Sequence, residues 1–327
     1  MRLVTALTFG AALGSSVLPT GCVGTSPGPT SALPGVVARP APNRPLRPDG
    51  GNSLPYLFVS QPYDNEFASS GDITILHNGS YKTSGVMTAG LNTPHGLFLD
   101  EQSNLYAANQ YGSTVTEYTA HSYGAPSFTY SDGLFEPVAV AADTNGNVFV
   151  SQYSIGSSLP GAVDEYSQQV NSVVAQCSAL PEGGALGVAV DSNDDVFVTW
   201  YYASNSAIFE YIGNLQSCDY LNINLPVATP YGLAIDKHGN LLIANLTEVV
   251  VADPPYTSVS RVLASGFEEA VTVHLNRQNT LAYITDYGAC TVTVLSYPSG
   301  SIVKVLGFSS APNPCPYAAV DSPNAVY

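Results

Sequence analysis

The sequence predicts an all-β fold, in particular a six-bladed β-propeller built from four-stranded antiparallel blades. Three observations support this prediction. Tyrosine is abundant, charged residues make up only 10% of the chain, and no stretch has the pattern of an amphipathic helix. A strand–turn–strand motif recurs along the chain at a nearly constant spacing. The two ends of the repeating region carry complementary halves of that motif.

Five segments carry the complete motif. Each has a leading residue that is usually proline, a small residue, alternating apolar residues, an Asp-led polar turn and a second apolar strand. In the fifth segment Asn276 replaces the aspartate and the turn has one extra residue. The segments are "PHGLFLDEQSNLYAAN" from Pro94, "PVAVAADTNGNVFVSQ" from Pro137, "ALGVAVDSNDDVFVTW" from Ala185, "PYGLAIDKHGNLLIAN" from Pro230 and "EAVTVHLNRQNTLAYITD" from Glu269.

Further strands complete each repeat. The motif is usually followed by a third strand, such as "VDEY" from Val163 or "VTVLSY" from Val292, and then by a fourth, such as "SIVKVLG" from Ser301. The last residues of the five second strands are separated by 43, 48, 45 and 41 residues. Four short strands in about 45 residues are typical of one propeller blade.

The ends of the repeating region predict how the ring closes. "YLFVSQ" from Tyr56 matches a second strand, yet no first strand precedes it. "PYAAVDSPNAVY" from Pro316 matches a first strand and its turn, without the remainder of a repeat. Pairing the two segments completes one blade and brings the number of blades to six. It also removes two exposed sheet edges.

The aspartates of the turns have two interpretations. They could bind calcium, or they could accept hydrogen bonds from the amides of their own turns. The second interpretation is favoured because Asp is a common turn residue and because Gly146 and Gly239 supply the positive φ that such turns need. The residues concerned are Asp100, Asp143, Asp191, Asp236 and Asp321.

The N-terminal region is predicted to be a leader and a tether. Residues 1–22 contain a short positive segment and an apolar stretch too short to span a bilayer, and they end in "PTGC". This ending resembles the lipobox of bacterial lipoproteins and makes Cys22 a candidate for acylation; the alternative is an ordinary secretory signal. Residues 23–52 are rich in Pro, Gly and Ser and are expected to be a disordered linker. The propeller itself is predicted to span residues 53–327.

The four remaining cysteines predict disulfides. Their even number suits an oxidising compartment, and no CxxC or Cys/His spacing of a zinc site occurs. Three connectivities are open on spacing alone. We expect Cys290 to pair with Cys315, because both fall at the same end of neighbouring blades. Cys177 and Cys218, on the outer parts of adjacent blades, would form the second pair.

The repeated pattern of Pro-x-Gly, apolar strand, Asp-x-x-Gly-Asn and apolar strand resembles NHL repeats, and more loosely the gluconolactonase-like propellers. The resemblance extends from Tyr56 to Tyr327. It implies that ligands meet one face of the ring, near the central channel.

Two rings of side chains are predicted at one end of the channel, because each hairpin returns the chain to the end where it began. The opening ring is His95, Val138, Leu186, Tyr231, Ala270 and Tyr317. The closing ring is Gln61, Asn109, Gln152, Trp200, Asn245 and Asp286. Just beyond it lie Tyr63, Tyr111, Tyr153, Tyr201, Tyr202 and Tyr287.

These rings predict a ligand site. Amides and aromatic rings suit a sugar or a peptide, whereas the alternative is that the amides cap strand ends and bind water. The predicted ligand-binding residues are Gln61, His95, Asn109, Gln152, Trp200, Tyr231, Asn245, Asp286 and Tyr317.

An enzymatic function is the alternative to a binding or scaffold module. His95 and Asp286 would be the acid–base pair of a hydrolase or lyase if they face each other across the channel. Gluconolactonase-like enzymes typically hold a divalent metal with a Glu, an Asn in a Pro-Asn-Gly segment and an Asp. Here His95 or Tyr231 stands in place of that Asn, which leaves Asp286 and Glu66 and too few oxygens for a calcium site. We therefore expect no cofactor; a divalent cation is the alternative that these residues do not support.

Charge restricts the partners. From Ser53 onward the chain has 24 acidic and 5 basic residues, a net charge of −19. Such a surface repels phosphate backbones and anionic lipids, so nucleic acid is excluded and a membrane is reached only through a lipid anchor. The expected partner is a small molecule, a glycan, a peptide or a protein. The protein is expected to be a monomer outside the cytoplasm, either secreted or a lipoprotein of the cell envelope.

Overall fold

The computed structural model describes residues 56–62, 70–153, 161–178, 183–202, 205–308 and 315–321. The predicted leader, the linker, Cys22, Tyr63 and Glu66 lie outside the described residues, as do residues 322–327 of the C-terminal segment. No helix in the described ranges is long and apolar enough to cross a membrane.

The described chain forms five antiparallel sheets. Four of them have four strands each. The first contains β1 (Tyr56–Gln61), β2 (Asp72–His77), β3 (Thr83–Met87) and β22 (Ala318–Asp321). The second contains β4 (Pro94–Leu99), β5 (Leu105–Asn109), β6 (Thr114–Tyr118) and β7 (Phe128–Tyr130). The third contains β8 (Pro137–Ala142), β9 (Val148–Gln152), β10 (Ala162–Tyr166) and β11 (Val173–Cys177). The fourth contains β12 (Gly184–Val190), β13 (Val196–Tyr202), β14 (Asn205–Tyr211) and β15 (Tyr220–Ile223).

The fifth sheet corrects the predicted number of separate blades. It has six strands, so the structure contains five sheets and not six four-stranded ones. Its strands are β16 (Leu233–Ile235), β17 (Leu241–Ala252), β18 (Arg261–Leu275), β19 (Leu281–Asp286), β20 (Thr291–Ser296) and β21 (Ile302–Gly307).

The physical reason is that β18 continues across a predicted blade boundary. Its first part pairs with β17 from Arg261 to Ser265 and again at Ala270, and its second part pairs with β19 from Ala270 onward. Strand β18 is continuous through these residues, so the two predicted blades are joined into one sheet. Strand β17 likewise contains both the second and the third strand that the sequence predicts.

The predicted pairing of the terminal segments is present. Strand β22 lies antiparallel to β1, with Leu57 opposite Asp321 and Ser60 opposite Ala318. Around the centre of the molecule the strands β22, β4, β8, β12, β16 and β18 contact one another in this order, and β18 contacts β22. The fold is therefore an all-β propeller in which the two ends of the described chain share a sheet.

The core lies between the sheets, because each sheet buries both of its faces. On β1, Phe58 packs with Leu97 and Tyr118 of the second sheet. Its neighbour Leu57 packs with Tyr283 and Val292 of the six-stranded sheet. This alternation follows from the period of two along a strand, and it explains why every residue of β5 and β9 is buried.

The glycine of the Pro-x-Gly motif permits close approach of neighbouring inner strands. A Cβ atom added to Gly187 would lie 2.4 Å from the carbonyl oxygen of Tyr231, and one added to Gly96 would lie 2.6 Å from that of Val138. Only glycine fits where two backbones meet at this separation. The motif therefore sets how tightly the inner strands surround the centre.

The Asp-led turns have the predicted structural role. Asp143 Oδ1 accepts the amides of Asn145 and Asn147 at 2.9 and 2.7 Å, and Oδ2 accepts the side-chain amide of Asn147. Asp236 accepts its own turn amides in the same way and also the hydroxyl of Tyr297 at 2.7 Å. Asp236 thus holds its own turn and also the segment between β20 and β21 in place.

Both predicted disulfides are formed. Cys177 at the end of β11 is bonded to Cys218 in the loop before β15 and ties the third sheet to the fourth. Cys290, just before β20, is bonded to Cys315 and ties the six-stranded sheet to the segment that leads into β22.

Candidate functional site at the channel mouth

The opening and closing residues of the hairpins meet at one end of the molecule, as predicted. Pro94 lies opposite Asn109, Pro137 opposite Gln152, Ala185 opposite Trp200 and Ala270 opposite Asp286. We call this end the channel mouth. It comprises the opening ring, the closing ring and the residues that directly follow the closing ring.

Four closing-ring side chains accept backbone amides from the segments that lead into their own sheets. Asn109 Oδ1 accepts a hydrogen bond from the backbone amide of Asn92 at 3.1 Å. Asn245 Oδ1 accepts one from the backbone amide of Thr229 at 2.8 Å. Gln152 Oε1 accepts the amide of Phe135. Asp286 accepts three amides, from Glu268, Glu269 and Ala289, at 2.8 to 3.2 Å. Capping of backbone amides explains why amide and carboxylate side chains recur in the closing ring. Ligand binding by these side chains stays a prediction.

The other two closing-ring residues are also buried. Trp200 is fully buried and packs edge-on against Phe209, with 6.4 Å between ring centroids. Gln61 Oε1 accepts the hydroxyl of Thr74 at 2.6 Å. The structure thus places the closing ring beneath the surface of the channel mouth.

The opening ring is divided into an apolar half and an aromatic half. Val138, Leu186 and Tyr231 form a buried cluster with Tyr153. On the other side, His95 lies edge-on to Tyr317 with 4.4 Å between ring centroids. Tyr317 in turn lies 6.3 Å from Tyr287.

His95 is neutral near pH 7. It is 1% exposed, and burial lowers the pKa of its imidazole to about 3, with a backbone hydrogen bond involving Thr93 acting in the opposite direction. Asp286 is held by the three amides described above. An acid–base role for His95 and Asp286 stays a prediction.

A row of hydroxyl groups between neighbouring sheets was not predicted from the sequence. The hydroxyl of Ser60 donates to the carbonyl oxygen of His95 at 2.6 Å, and that of Ser151 to Leu186 at 2.8 Å. Thr199 donates to the carbonyl oxygen of Tyr231 in the same manner. The sequence does contain a signal, since Ser or Thr directly precedes the closing residue in four of the six second strands.

The outermost layer of the channel mouth consists of the residues that follow the closing ring. The amide of Tyr153 donates to the carbonyl oxygen of Glu136 at 3.1 Å, and that of Tyr287 to Glu269 at 2.8 Å. Gln110 occupies the same position in the second sheet, where its amide donates to Thr93. Glu136 and Glu269 are partly buried, and sequence reasoning missed them because they lie two residues and one residue before the opening-ring residues Val138 and Ala270.

The carboxylates and the phenols of the channel mouth influence each other. Burial raises the pKa of Glu136, and burial together with the charge of Asp286 raises that of Glu269. Burial, followed by the charge of Glu269, raises the pKa of Tyr231 and of Tyr287. These shifts place the acidic groups within electrostatic reach of the tyrosines.

A second concave region lies at the opposite end, among the Asp-led turns. It is a cavity of about 340 Å³ lined by residues of the second, third and fourth sheets, including Asp100, Glu101, Asp143 and Asp191. Three of these carboxylates are already used by their own turns. Among the described residues no group of three or more His, Cys, Asp or Glu side chains is arranged to hold a metal ion.

Comparisons with known proteins support the fold. No protein-family model and no curated protein matches the sequence. The chain is similar to a chain in the crystal structure of a nidogen/laminin complex, with a TM-score of 0.64 and 14% identity, over 83% of this chain and 99% of that one. It is also similar to a protein of unknown function from Bacteroides caccae, with a TM-score of 0.61 and 12% identity, over 83% of this chain and 99% of that one. The class defined by the fold and by these neighbours is the β-propeller.

Proposed function

We propose that this chain is an exported propeller of the NHL-repeat type that binds a ligand or a protein partner through its channel mouth. The observation that carries the proposal is the concentration of partly exposed tyrosines at this end. Tyr111 is 38% exposed, and Tyr201 and Tyr287 are partly exposed. Tyrosines that present a ring and a hydroxyl to solvent are favoured contact residues for peptides and sugars.

Export is supported by two features. The four cysteines of the folded region are all used in disulfides, which persist outside the cytoplasm. The apolar segment before Cys22 has the composition of a secretory signal. We propose that the protein is released or anchored at the envelope through Cys22.

A protein partner is compatible with the comparisons, because one similar chain belongs to a complex between nidogen and laminin. A hydrolase or lyase centred on His95 and Asp286 gains no support, since His95 is buried against Tyr317 and Asp286 caps backbone amides.

Glycan and peptide arrays test the proposal. Labelled protein is expected to bind a defined subset of features, and a Tyr111→Ser/Tyr287→Ser variant is expected to lose that binding. The matched control is Tyr220→Ser on outer strand β15, because Tyr220 is 40% exposed but lies away from the channel mouth. Binding that survives the double substitution, or that Tyr220→Ser abolishes equally, would contradict the proposal.

A further inference from the structure

We propose that Asn78 is a site of spontaneous deamidation, and that its conversion to aspartate or isoaspartate loosens the attachment of the C-terminal strand β22. This inference goes beyond the proposed function and does not depend on it. It is carried by the contact between Gly79 and the Asn78 side chain, and by the hydrogen bonds that this side chain donates at the end of β22.

The reactive group is the Asn–Gly sequence in the turn between β2 and β3. Gly79 is exposed, and its backbone N–H donates to Asn78 Oδ1 at 2.8 Å. The nitrogen and the carboxamide that it attacks are therefore adjacent before the reaction begins, which favours an intramolecular step. Glycine also has no Cβ atom that would hinder the approach of its nitrogen.

The reaction needs water and no other co-reactant. The Gly79 nitrogen forms a bond with Cγ of Asn78 and loses its proton. The Cγ–Nδ2 bond breaks, and the amide nitrogen leaves with this proton as ammonia. Water then adds to a carbonyl carbon of the cyclic imide and opens the ring. Addition at Cγ gives aspartate, whereas addition at the main-chain carbonyl gives isoaspartate, in which the backbone runs through the former side chain.

The second Asn–Gly sequence of the chain is held in a different way. The N–H of Gly146 donates to the carbonyl oxygen of Asp143 at 3.2 Å, within one of the Asp-led turns. The side chain of Asn145 donates to Asp194 of a neighbouring turn at 3.3 Å. Because the Gly146 nitrogen is directed to a backbone carbonyl and not to the neighbouring carboxamide, Asn145 should react more slowly, although it is exposed.

The side chain of Asn78 connects the first hairpin to the end of β22. Its Nδ2 donates to Asp321 Oδ1 at 2.5 Å and to the hydroxyl of Tyr283 at 3.4 Å. The same hydroxyl donates to Asp321 Oδ2 at 3.0 Å. Asp321 is the last residue of β22, and Tyr283 lies on β19 of the six-stranded sheet. Three strands that are distant in sequence therefore meet at one carboxamide.

Deamidation replaces the donor at position 78 with a carboxylate. The hydrogen bond to Asp321 is lost, and two groups of like charge face each other. Burial already raises the pKa of Asp321 to about 6, with hydrogen bonds from Tyr283 and Asn78 acting in the opposite direction. Loss of one of these donors and addition of a negative charge both weaken the contact, so the end of β22 should detach more readily.

The first test measures the modification. The full chain is incubated in warm buffer at pH 8 made with H₂¹⁸O, so that each new carboxylate is labelled. Peptide mapping by mass spectrometry should show conversion at Asn78 at least about tenfold faster than at Asn145, with both aspartate and isoaspartate as products. Gly79→Ala adds a methyl group beside the attacking nitrogen and should slow conversion at Asn78 by about tenfold or more. Circular dichroism and an unchanged rate at Asn145 confirm that this variant is folded.

The second test measures the consequence. Deamidated protein carries an additional negative charge and can be separated from the intact protein by anion exchange. Hydrogen exchange should be several-fold faster at the amides of β22 in the deamidated protein and unchanged at those of β11. Asn78→Asp should reproduce the faster exchange of β22. The matched control is Asn145→Asp, which adds the same charge in another turn and should leave β22 unchanged.

Three outcomes would overturn the inference. Conversion at Asn145 as fast as at Asn78 would show that the Asn–Gly sequence alone explains the reaction. An Asn78 that stays intact while an unstructured peptide of the same sequence is fully converted would show that the fold protects it. Equal exchange of β22 in the intact protein, the deamidated protein and Asn78→Asp would show that Asn78 does not hold this strand.

Discussion

Asp164 is a fully buried carboxyl group inside the third sheet. It lies in the middle of β10 and is fully buried, with Gln152 Nε2 and Gln176 Nε2 donating to its carboxylate at 2.6 and 2.9 Å. Burial raises the pKa of this carboxyl group to about 7, although the amide of Gln176 acts in the opposite direction. Gln152, a predicted closing-ring residue, therefore also donates a hydrogen bond to a buried carboxyl group.

The raised pKa predicts a pH-dependent stability. The folded state holds the proton of Asp164 up to about pH 7, whereas an unfolded aspartate loses it near about pH 4. The folded state binds more protons between these values, so the contribution of this residue to the free energy of unfolding falls as pH rises through the window. Asp164→Asn should stabilise the protein relative to the wild type at pH 8 and much less at pH 4.5, measured by urea unfolding.

The prediction concerns the difference in the free energy of unfolding between Asp164→Asn and the wild type at each pH. Burial lowers the pKa of His95, which removes stability as the pH falls and masks the effect in the wild type alone. The matched control is Asp219→Asn, because Asp219 is exposed on the surface and its substitution should change the free energy of unfolding only slightly. A variant that is less stable than the wild type at pH 8 would contradict the prediction.

At the scale of strands, the inner strands depend on glycine for their packing. Gly187 on β12 lies against the backbone of Tyr231 and Gly232, and its amide donates to the hydroxyl of Thr199 at 2.7 Å. The same hydroxyl donates a hydrogen bond to the carbonyl oxygen of Tyr231. One glycine and one threonine therefore join the fourth sheet to the six-stranded sheet without an intervening side chain.

Adding one methyl group at this position should be costly. Gly187→Ala places a Cβ atom against the carbonyl oxygen of Tyr231, so the two strands must separate, and the free energy of unfolding should fall by about 1–3 kcal/mol. Chemical denaturation measures the loss. Gly124→Ala is the control, because an added Cβ there meets no atom within 4 Å, and its effect should stay within about 0.5 kcal/mol. Equal effects of the two substitutions would argue against close strand packing.

The whole molecule depends on contacts between residues that are far apart in sequence. Ala318 at the start of β22 donates its amide to the hydroxyl of Ser60 at 3.0 Å across 258 positions. The inner strand β22 also contacts β4 on one side and β18 on the other. The C-terminal strand therefore connects the first sheet to its two neighbours.

Removal of this strand should abolish the cooperative fold. Deleting residues 316–327 exposes the buried faces of β1, β4 and β18, so the melting temperature should fall sharply or the transition should disappear in differential scanning calorimetry. Deleting residues 23–34 removes the same number of residues before the folded region and should leave the transition unchanged. A protein without residues 316–327 that melts like the full chain would contradict the role of β22.

Much of the fold could be predicted from local sequence. The hairpins and the structural role of turn residues such as Asp143 and Asp236 follow from spacing and turn chemistry. The predicted placement of the cysteines on neighbouring blades paired them correctly. The joining of two predicted blades into one sheet did not follow, because the pairing of β18 with both β17 and β19 depends on the path of the backbone between the blades. The local pattern of apolar residues is the same whether the two blades are joined or separate.

The site was harder to predict than the fold. Sequence spacing correctly placed His95, Asn109 and Asp286 at one end of the molecule, yet it could not show that their side chains are buried there. Glu136 and Glu269 were missed because their electrostatic influence on Tyr153 and Tyr231 depends on distances in the folded chain.

The sequence by itself determined the all-β class and the hairpin repeat, because both depend on periodicity and spacing along one chain. Only the tertiary structure decided that five sheets form in the described chain and that four closing-ring side chains cap backbone amides of their own sheets. These features depend on which segments of different repeats meet, and such contacts are fixed by packing around the ring.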